Sequence, residues 1–230
     1  MRLVTSTAIL FCLIVMFTFP LSADAIPAIT CHCFTDRSYD AAHPAAADAY
    51  FLATTQNSFF AIVFNTDKKS IVIKKQQGTS PDDLWIAYWV ASKAGKTTDS
   101  LLQAKSKSGA WKNVVVPLKL PPNILGARFS NAINDNLPTD RLSDAVVDEL
   151  FLKNQLLGER DLDDMRKAGA SNQELIIATV IATKTRQPAR QLYLEVKAGT
   201  KTWGSLLSWT KIDTKNMQQE IATILKLHPQ

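Results

Sequence analysis

The sequence predicts an all-α protein built as a tandem duplication of a short-helix bundle. The first observation is that "GTSPDDLWIAYWVA" at 78–91 and "GASNQELIIATVIA" at 169–182 share one pattern of glycine, serine, acid and apolar residues. The second is that caps, chain breakers and apolar positions stay in step downstream at an offset of 91 to 92 residues. The third is that no segment shows the convincing alternation that strands require. "NVVVPL" comes closest, and its counterpart "GSLLSW" favours a helix.

Each copy of the pattern contains a helix end followed at once by a helix start. Gly78 and Gly169 are expected to close a helix in the left-handed conformation, which side chains disfavour. Ser80 and Ser171 are predicted N-caps, and the acid three residues after each serine completes a capping box. The helices that follow are apolar on nearly every side, which predicts that they are buried.

The two units are predicted to span 48–136 and 140–228, with five or six short helices each. Their opening helices are predicted at 48–64 and 144–158, and the joint is "NDNLPTD", which is rich in turn-forming residues. A unit of this length buries a modest core, so the two units are expected to share an interface.

Tryptophans are predicted to belong to the core. Trp85, Tyr88 and Trp89 stand at helical spacing within an apolar run, and the second copy has Ile, Thr and Val in those places, so packing is favoured over a ligand platform. Trp111 and Trp203 lie 92 residues apart and are expected in equivalent buried positions.

The first 25 residues have the layout of a secretory signal peptide. A basic start and an apolar run precede Ala23 and Ala25, which predicts cleavage after Ala25. Pro20 and the short apolar length argue against a retained anchor, since a span takes about 20 apolar residues. We therefore expect a periplasmic or secreted protein that begins at Ile26 and is soluble after cleavage.

The net charge of the chain favours some classes of binding partner over others. The chain has 26 basic and 21 acidic residues, for a net charge of +5. Outside the cytoplasm this favours an anionic surface, such as phospholipid head groups or cell-wall polymers, or an envelope protein. A solvated basic surface is the plainer interpretation. Export argues against nucleic acid as a partner.

The residues best suited to chemistry lie in the N-terminal segment 26–47. Cys31, His32 and Cys33 are consecutive, and their spacing does not match covalent haem attachment. One hypothesis is a strained disulfide or redox pair, as an oxidising compartment favours. A second is inert or intermolecular thiols. A third is a zinc or copper site. That site would draw further ligands from nearby residues: Asp36, Asp40 and His43.

The rest of the chain contains no recognisable catalytic constellation. The serines lack a G-x-S-x-G setting, and no glycine-rich loop could cradle a phosphate. Asp161, Asp163 and Asp164 are predicted to form the acidic first turn of a helix. We therefore expect a non-enzymatic binding or structural protein of the cell envelope without a cofactor. The alternative is a thiol-redox or metal-binding envelope protein acting through Cys31, His32 and Cys33.

The segment "DLDDMRKAGASNQELIIATVIATKTRQPARQLYLEVKAGTKTWGSLL" resembles a pattern of small exported bacterial helical proteins of uncharacterised activity. The residues that carry the likeness are Gly169, Leu175, Ala178, Ala182, Gly199, Trp203 and Gly204. Their first-copy counterparts are Gly78, Leu84, Ala87, Ala91, Gly109 and Trp111, where Lys112 replaces the second glycine. The resemblance implies the helical fold. It does not indicate an activity, because the activity of those proteins is uncharacterised. The helix–turn–helix rhythm also resembles DNA-binding domains, but the predicted export argues against that function.

Overall fold

The computed structural model describes residues 37–227 and is α-helical throughout that range, without a strand. The predicted all-α class is therefore confirmed. The helices before the joint are α1 (Asp48–Val63), α2 (Lys68–Gln76), α3 (Pro81–Ala94), α4 (Thr98–Ser108), α5 (Trp111–Val115), α6 (Pro122–Leu125) and α7 (Ala127–Asn134). Those after it are α8 (Thr139–Lys153), α9 (Glu159–Lys167), α10 (Asn172–Thr185), α11 (Ala189–Lys197), α12 (Trp203–Thr210) and α13 (Met217–Leu227).

Two short 3₁₀ turns complete this framework, at Val116–Leu118 and Thr214–Asn216. The segment "NVVVPL" therefore forms the end of α5 and the first of these turns, as the helical interpretation predicts. Within residues 37–227, no helix is both long and apolar enough to cross a membrane. The predicted signal peptide lies outside the described residues.

The helix bounds repeat at the offset seen in the sequence. Helices α2 and α9 begin and end 91 residues apart, and so do α3 and α10. Gly78 and Gly169, which precede the second pair, have φ of +91° and +90°, as predicted for left-handed helix ends. These matched bounds support the proposed duplication.

The opening helix of the second range begins earlier than predicted. The pattern indicated 144–158, whereas α8 spans Thr139–Lys153. Pro138 is the N-cap of α8, with φ of −64°, and its ring fixes the chain in a conformation suited to starting a helix. With this start, α8 begins 91 residues after α1, so the two opening helices follow the same offset as their neighbours.

The predicted capping box is confirmed in the second copy and only half present in the first. The amide of Glu174 donates to Ser171 Oγ, and the carboxylate of Glu174 accepts from the amide of Ser171 at 2.9 Å. Ser80 also caps its helix. The carboxylate of Asp83, however, accepts from Trp111 Nε1 at 2.7 Å and ties α3 to α5.

The opening helices pack across the joint. Helix α8 packs against α3 and α7 of the first range, and α1 packs against α10 and α13 of the second. The buried side chains of both ranges form one hydrophobic core. Each range therefore completes its core with the opening helix of the other.

Two polar contacts repeat at the same offset and hold these opening helices. Lys75 Nζ on α2 donates to Asn57 Oδ1 on α1 at 2.6 Å. Arg166 Nη2 on α9 donates to Asp148 Oδ1 on α8 at 2.8 Å, 91 residues later on both sides. The second helix of each range is thus tied to its opening helix at the same two positions.

Replacing Trp203 with Ala should destabilise the protein by about 3–5 kcal/mol, because Trp203 is 2% exposed and its removal leaves a cavity. Trp209 on the same helix is 56% exposed and supplies the matched control, Trp209→Ala. Urea unfolding of both variants checks the prediction. Equal losses of stability in the two variants would contradict the burial of Trp203.

Candidate functional site

The residues predicted to carry chemistry fall mostly outside the described range. Cys31, His32 and Cys33 all precede residue 37, so the thiol or metal hypothesis stays a prediction. Of the further metal ligands considered, Asp40 and His43 are described. Their side chains are exposed, with His43 Nδ1 3.0 Å from Asp40 Oδ2. The hydrogen bond with His43 lowers the pKa of Asp40. No group of three or more His, Cys, Asp or Glu side chains suited to a metal ion occurs in the part of the chain that the structure describes.

The described part of the N-terminal segment is fixed against the start of α12. The amide of Gly204 donates to Asp48 Oδ1 at 2.8 Å, and Thr202 Oγ1 donates to the carbonyl of Pro44 at 3.1 Å. A Cβ at Gly204 would lie 2.8 Å from the ring of Phe51, so this close approach requires glycine. The chain that follows the cysteines is therefore held beside α12.

The acidic turn predicted at 161–164 lies on α9 and serves ion pairs. Asp163 Oδ1 accepts from Arg128 Nη1 at 2.7 Å, and Asp164 Oδ2 lies 3.7 Å from Arg190 Nε. These two carboxylates therefore serve ion pairs. Asp161 lies in the first turn of α9 as predicted, whereas Asp163 and Asp164 lie beyond that turn.

The ion pairs of Arg128 continue below the surface and link α7, α8 and α9. Asp148 is 6% exposed, and its Oδ1 accepts from Arg166 Nε at 2.9 Å while its Oδ2 lies 3.6 Å from Arg128 Nη1. Burial raises the pKa of Asp148, against the lowering effect of Arg166. Because its partners already occupy both carboxylate oxygens, this group connects helices and is not a free acid.

A different arrangement is found where the C-terminal ends of α1 and α8 meet α3 and α13. Residues of these four helices line a cavity of about 440 Å³, called here the lysine cavity. Its apolar wall consists of Ile62, Val63, Phe64, Trp89, Leu150 and Leu225. A volume of this size is typical of sites for small organic ligands, which are concave and largely apolar.

Two lysines line this cavity without a carboxylate partner. Lys93 is half-buried on α3, and its Nζ lies 4.7 Å from the centroid of the Trp89 ring. Lys153 occupies the last turn of α8. Among residues 37–225, neither lysine forms an ion pair with an acidic side chain. Burial lowers the pKa of Lys93, and the nearby charge of Lys153 lowers it further.

The corresponding lysine of the second copy is neutralised. Lys184 lies 91 residues after Lys93, in "ATK" where the first copy has "ASK". Its Nζ forms an ion pair with Glu220 Oε2 on α13 at 2.8 Å. The equivalent helix positions therefore hold an ion-paired lysine at 184 and a lysine at 93 that has no acidic partner among residues 37–225.

Polar groups complete the cavity beside the lysines. Asn65, Ser92 and Asn154 line it, and the buried Asn154 is held by donation from Nδ2 to the carbonyl of Leu150 at 2.7 Å. The cavity thus combines apolar walls, two cationic groups and hydrogen-bonding side chains. This set of groups suits binding of an anion that carries an apolar part.

Sequence reasoning missed this site. Trp89 was expected in the core, and it is 4% exposed with Nε1 donating to the carbonyl of Leu125 at 3.0 Å, yet it also forms a cavity wall. Lys93 is a basic residue in the last turn of a helix, which is a common position for lysine because the helix dipole favours it there. The one available clue was its alignment with Lys184, and that clue has meaning only when Glu220 is known to lie beside Lys184.

No protein-family model matches the chain, and comparison with curated proteins and with solved structures finds no match. The resemblance to small exported helical proteins therefore stays a prediction.

Replacing Lys93 with Met should raise the melting temperature near neutral pH. The substitution removes a partly desolvated charge that Lys153 repels, and this gain is expected to exceed the loss of the contact between Lys93 Nζ and the Trp89 ring. Because the folded-state pKa of Lys93 lies below its ordinary value of 10.5, the folded chain loses this proton first as pH rises. The stability of the unmodified protein then increases with pH in that window, and the advantage of Met shrinks. Melting curves over a pH series test this, and a lower melting temperature for Lys93→Met would show a structural lysine.

Replacing both Cys31 and Cys33 with Ser should leave the melting temperature unchanged, because a disulfide across so short a loop constrains little unfolded-chain entropy. Metal analysis and thiol counts on the parent and the double variant distinguish the three hypotheses. Zinc or copper lost with the cysteines indicates a metal site. Two additional free thiols in the parent, with no metal, contradict both the metal site and the disulfide.

Proposed function

We propose that the chain is a non-enzymatic binding protein of the cell envelope and that its binding site is the lysine cavity. The observation that carries the proposal is the pair of lysines, Lys93 and Lys153, beside an apolar cavity with no acidic partner in the described residues. A bound anion would supply the missing negative charge. The apolar wall would at the same time bind a non-polar part of the ligand.

The charge of Lys93, which has no acidic partner among the described residues, favours a ligand-binding role for this lysine over a purely structural role. A desolvated ammonium without a counter-ion lowers stability, and such local losses of stability are typical of functional positions. The neutralised Lys184 indicates that the same helix position accommodates a stabilising ion pair. A cavity also places the charges on a concave surface, which suits a small molecule better than a flat anionic surface.

The ion pairs outside the lysine cavity support the proposal that the protein is non-enzymatic, because they engage the carboxylate that is otherwise suited to acid–base chemistry. In the described residues, the buried carboxylate of Asp148 is engaged by Arg166 and Arg128. Among the described residues that line the lysine cavity, no Asp or Glu is present to exchange a proton with a bound molecule. The lysine cavity is thus equipped for recognition and for electrostatic attraction.

The test uses anilinonaphthalene sulfonate, an anionic apolar dye, as the probe. It should bind the full chain at one site with increased fluorescence. Lys93→Met should weaken binding by about tenfold or more, as expected for the loss of a charged hydrogen bond. Lys184→Met is the matched control and should bind like the parent protein, since Lys184 is ion-paired outside the cavity.

Near-ultraviolet circular dichroism of each variant must show that tertiary packing is intact, because partly unfolded proteins bind this dye. Absence of binding to the folded protein would contradict the proposed function. Equal binding by the parent and the Lys93→Met variant would place the dye elsewhere. The second cavity, between Tyr39 and Lys215, is the alternative position.

A further inference from the structure

We infer that the ligand of the lysine cavity is a single-chain amphiphile with a carboxylate head, such as a fatty acid. This inference rests on the proposed function and specifies its ligand. The cavity presents its charges and its apolar surface side by side, with Lys93 and Lys153 next to Ile62, Val63 and Phe64. A molecule that satisfies both must carry an anionic head joined to a flexible apolar part.

The head is expected to carry one negative charge. The helix ends that face the cavity are the C-termini of α1 and α8, with Phe64 and Asn154 as their C-caps. The last carbonyls of a helix carry partial negative charge, which opposes a doubly charged phosphate. The cavity lining also contains no arginine, the side chain best suited to bidentate phosphate recognition. A carboxylate held between two lysine ammonium groups meets these conditions.

Four of the six apolar wall residues remain partly accessible and would contact the tail. Ile62, Val63, Phe64 and Leu225 are half-buried, whereas Trp89 and Leu150 are fully buried. The accessible side chains belong to the end of α1 and to α13, and they line the same cavity as Lys93. An alkyl tail in the cavity would remove these side chains from water.

Asn154 has a separate role in this arrangement. It is buried at 5% exposure and lies one residue after Lys153. Because its Nδ2 donates to the carbonyl of Leu150, its amide is held in a fixed orientation at the end of α8. It therefore keeps the cavity wall at this helix end rigid beside the head.

The experiment is calorimetric titration of the full chain with octanoate, decanoate and dodecanoate, all below their micelle concentrations. Affinity should increase by about fourfold per added methylene while the tail stays inside the cavity. Dodecyl trimethylammonium and dodecanol present the same tail with a cationic and a neutral head, and both should bind at least tenfold more weakly than dodecanoate. Dodecyl phosphate, measured at a pH where it is doubly charged, should also bind more weakly than dodecanoate.

Substitutions of the lysines test where the carboxylate head of the ligand binds. Lys93→Met should weaken dodecanoate binding by about tenfold or more and leave dodecanol binding unchanged, whereas Lys184→Met should alter neither. Lys153 is exposed, so Lys153→Met should have a smaller effect. A Lys93→Arg variant keeps the charge and should retain most of the affinity, which separates charge recognition from a merely structural role.

The outcomes distinguish this inference from the proposed function. If the dye binds in a Lys93-dependent manner while dodecanoate and dodecanol bind equally or not at all, the proposed function stands and the carboxylate amphiphile is wrong. Tighter binding of dodecyl phosphate than of dodecanoate would replace the carboxylate by a phosphate head. If neither the dye nor dodecanoate binds to the folded chain, both proposals are wrong.

Discussion

The fold depends on the exchange of its two opening helices. Helix α1 packs on α10 and α13, and α8 packs on α3 and α7, so each completes the core of the range to which it does not belong in sequence. Both helices are buried over most of their length. Neither range could bury its apolar helices on its own, because the helix that covers them comes from the other range. The single continuous core follows from this exchange, and so does the position of the lysine cavity, where the C-terminal ends of the two exchanged helices come together.

The two exchanged helices differ in chemistry although they have equivalent positions. Helix α1 buries five consecutive polar residues, 54–58, where α8 has "AVVDE". Within the described residues, Thr54 Oγ1, Asn57 Nδ2 and Ser58 Oγ have no hydrogen-bond partner. These three positions share one face of the helix by their spacing, and each unsatisfied buried group lowers stability by about 1–3 kcal/mol. Helix α8 instead concentrates its buried polarity in Asp148, which two arginines neutralise. Helix α8 thus carries an ion-paired buried group, whereas α1 carries the unsatisfied buried groups.

Much of this architecture could be predicted from the sequence because local chemistry specifies it. Gly169 and Ser171 mark a helix end and a helix start through conformational freedom and capping, and these effects act over a few residues. The exchange of α1 and α8 could not be predicted, since apolar residues show that a helix is buried and do not show which helix covers it. The sequence pattern predicts a start for α8 that is too late, because Pro138 lies within the turn-rich joint and begins the helix there. The candidate site depends on contacts that are distant in sequence. Lys93 and Lys184 occupy matching sequences, and what separates them is the carboxylate of Glu220, 36 residues beyond Lys184.

We propose that the two ranges are a duplication, and the difference between these two lysines then has a functional meaning. In a duplicated fold, every scaffold position is present twice, so one copy can satisfy the requirements of packing while the other departs from them. Lys184 has Glu220 on the neighbouring α13, and its charge is neutralised within the protein. The element that corresponds to α13 in the first range is α7, where Arg128 instead turns to Asp163 and Glu159. Lys93 is left with the ring of Trp89 and the charge of Lys153, and the cavity lies beside it. We propose that the lack of an acid at the position of Arg128 leaves Lys93 available as a binding group, while the helices that hold it keep the same bounds as their counterparts.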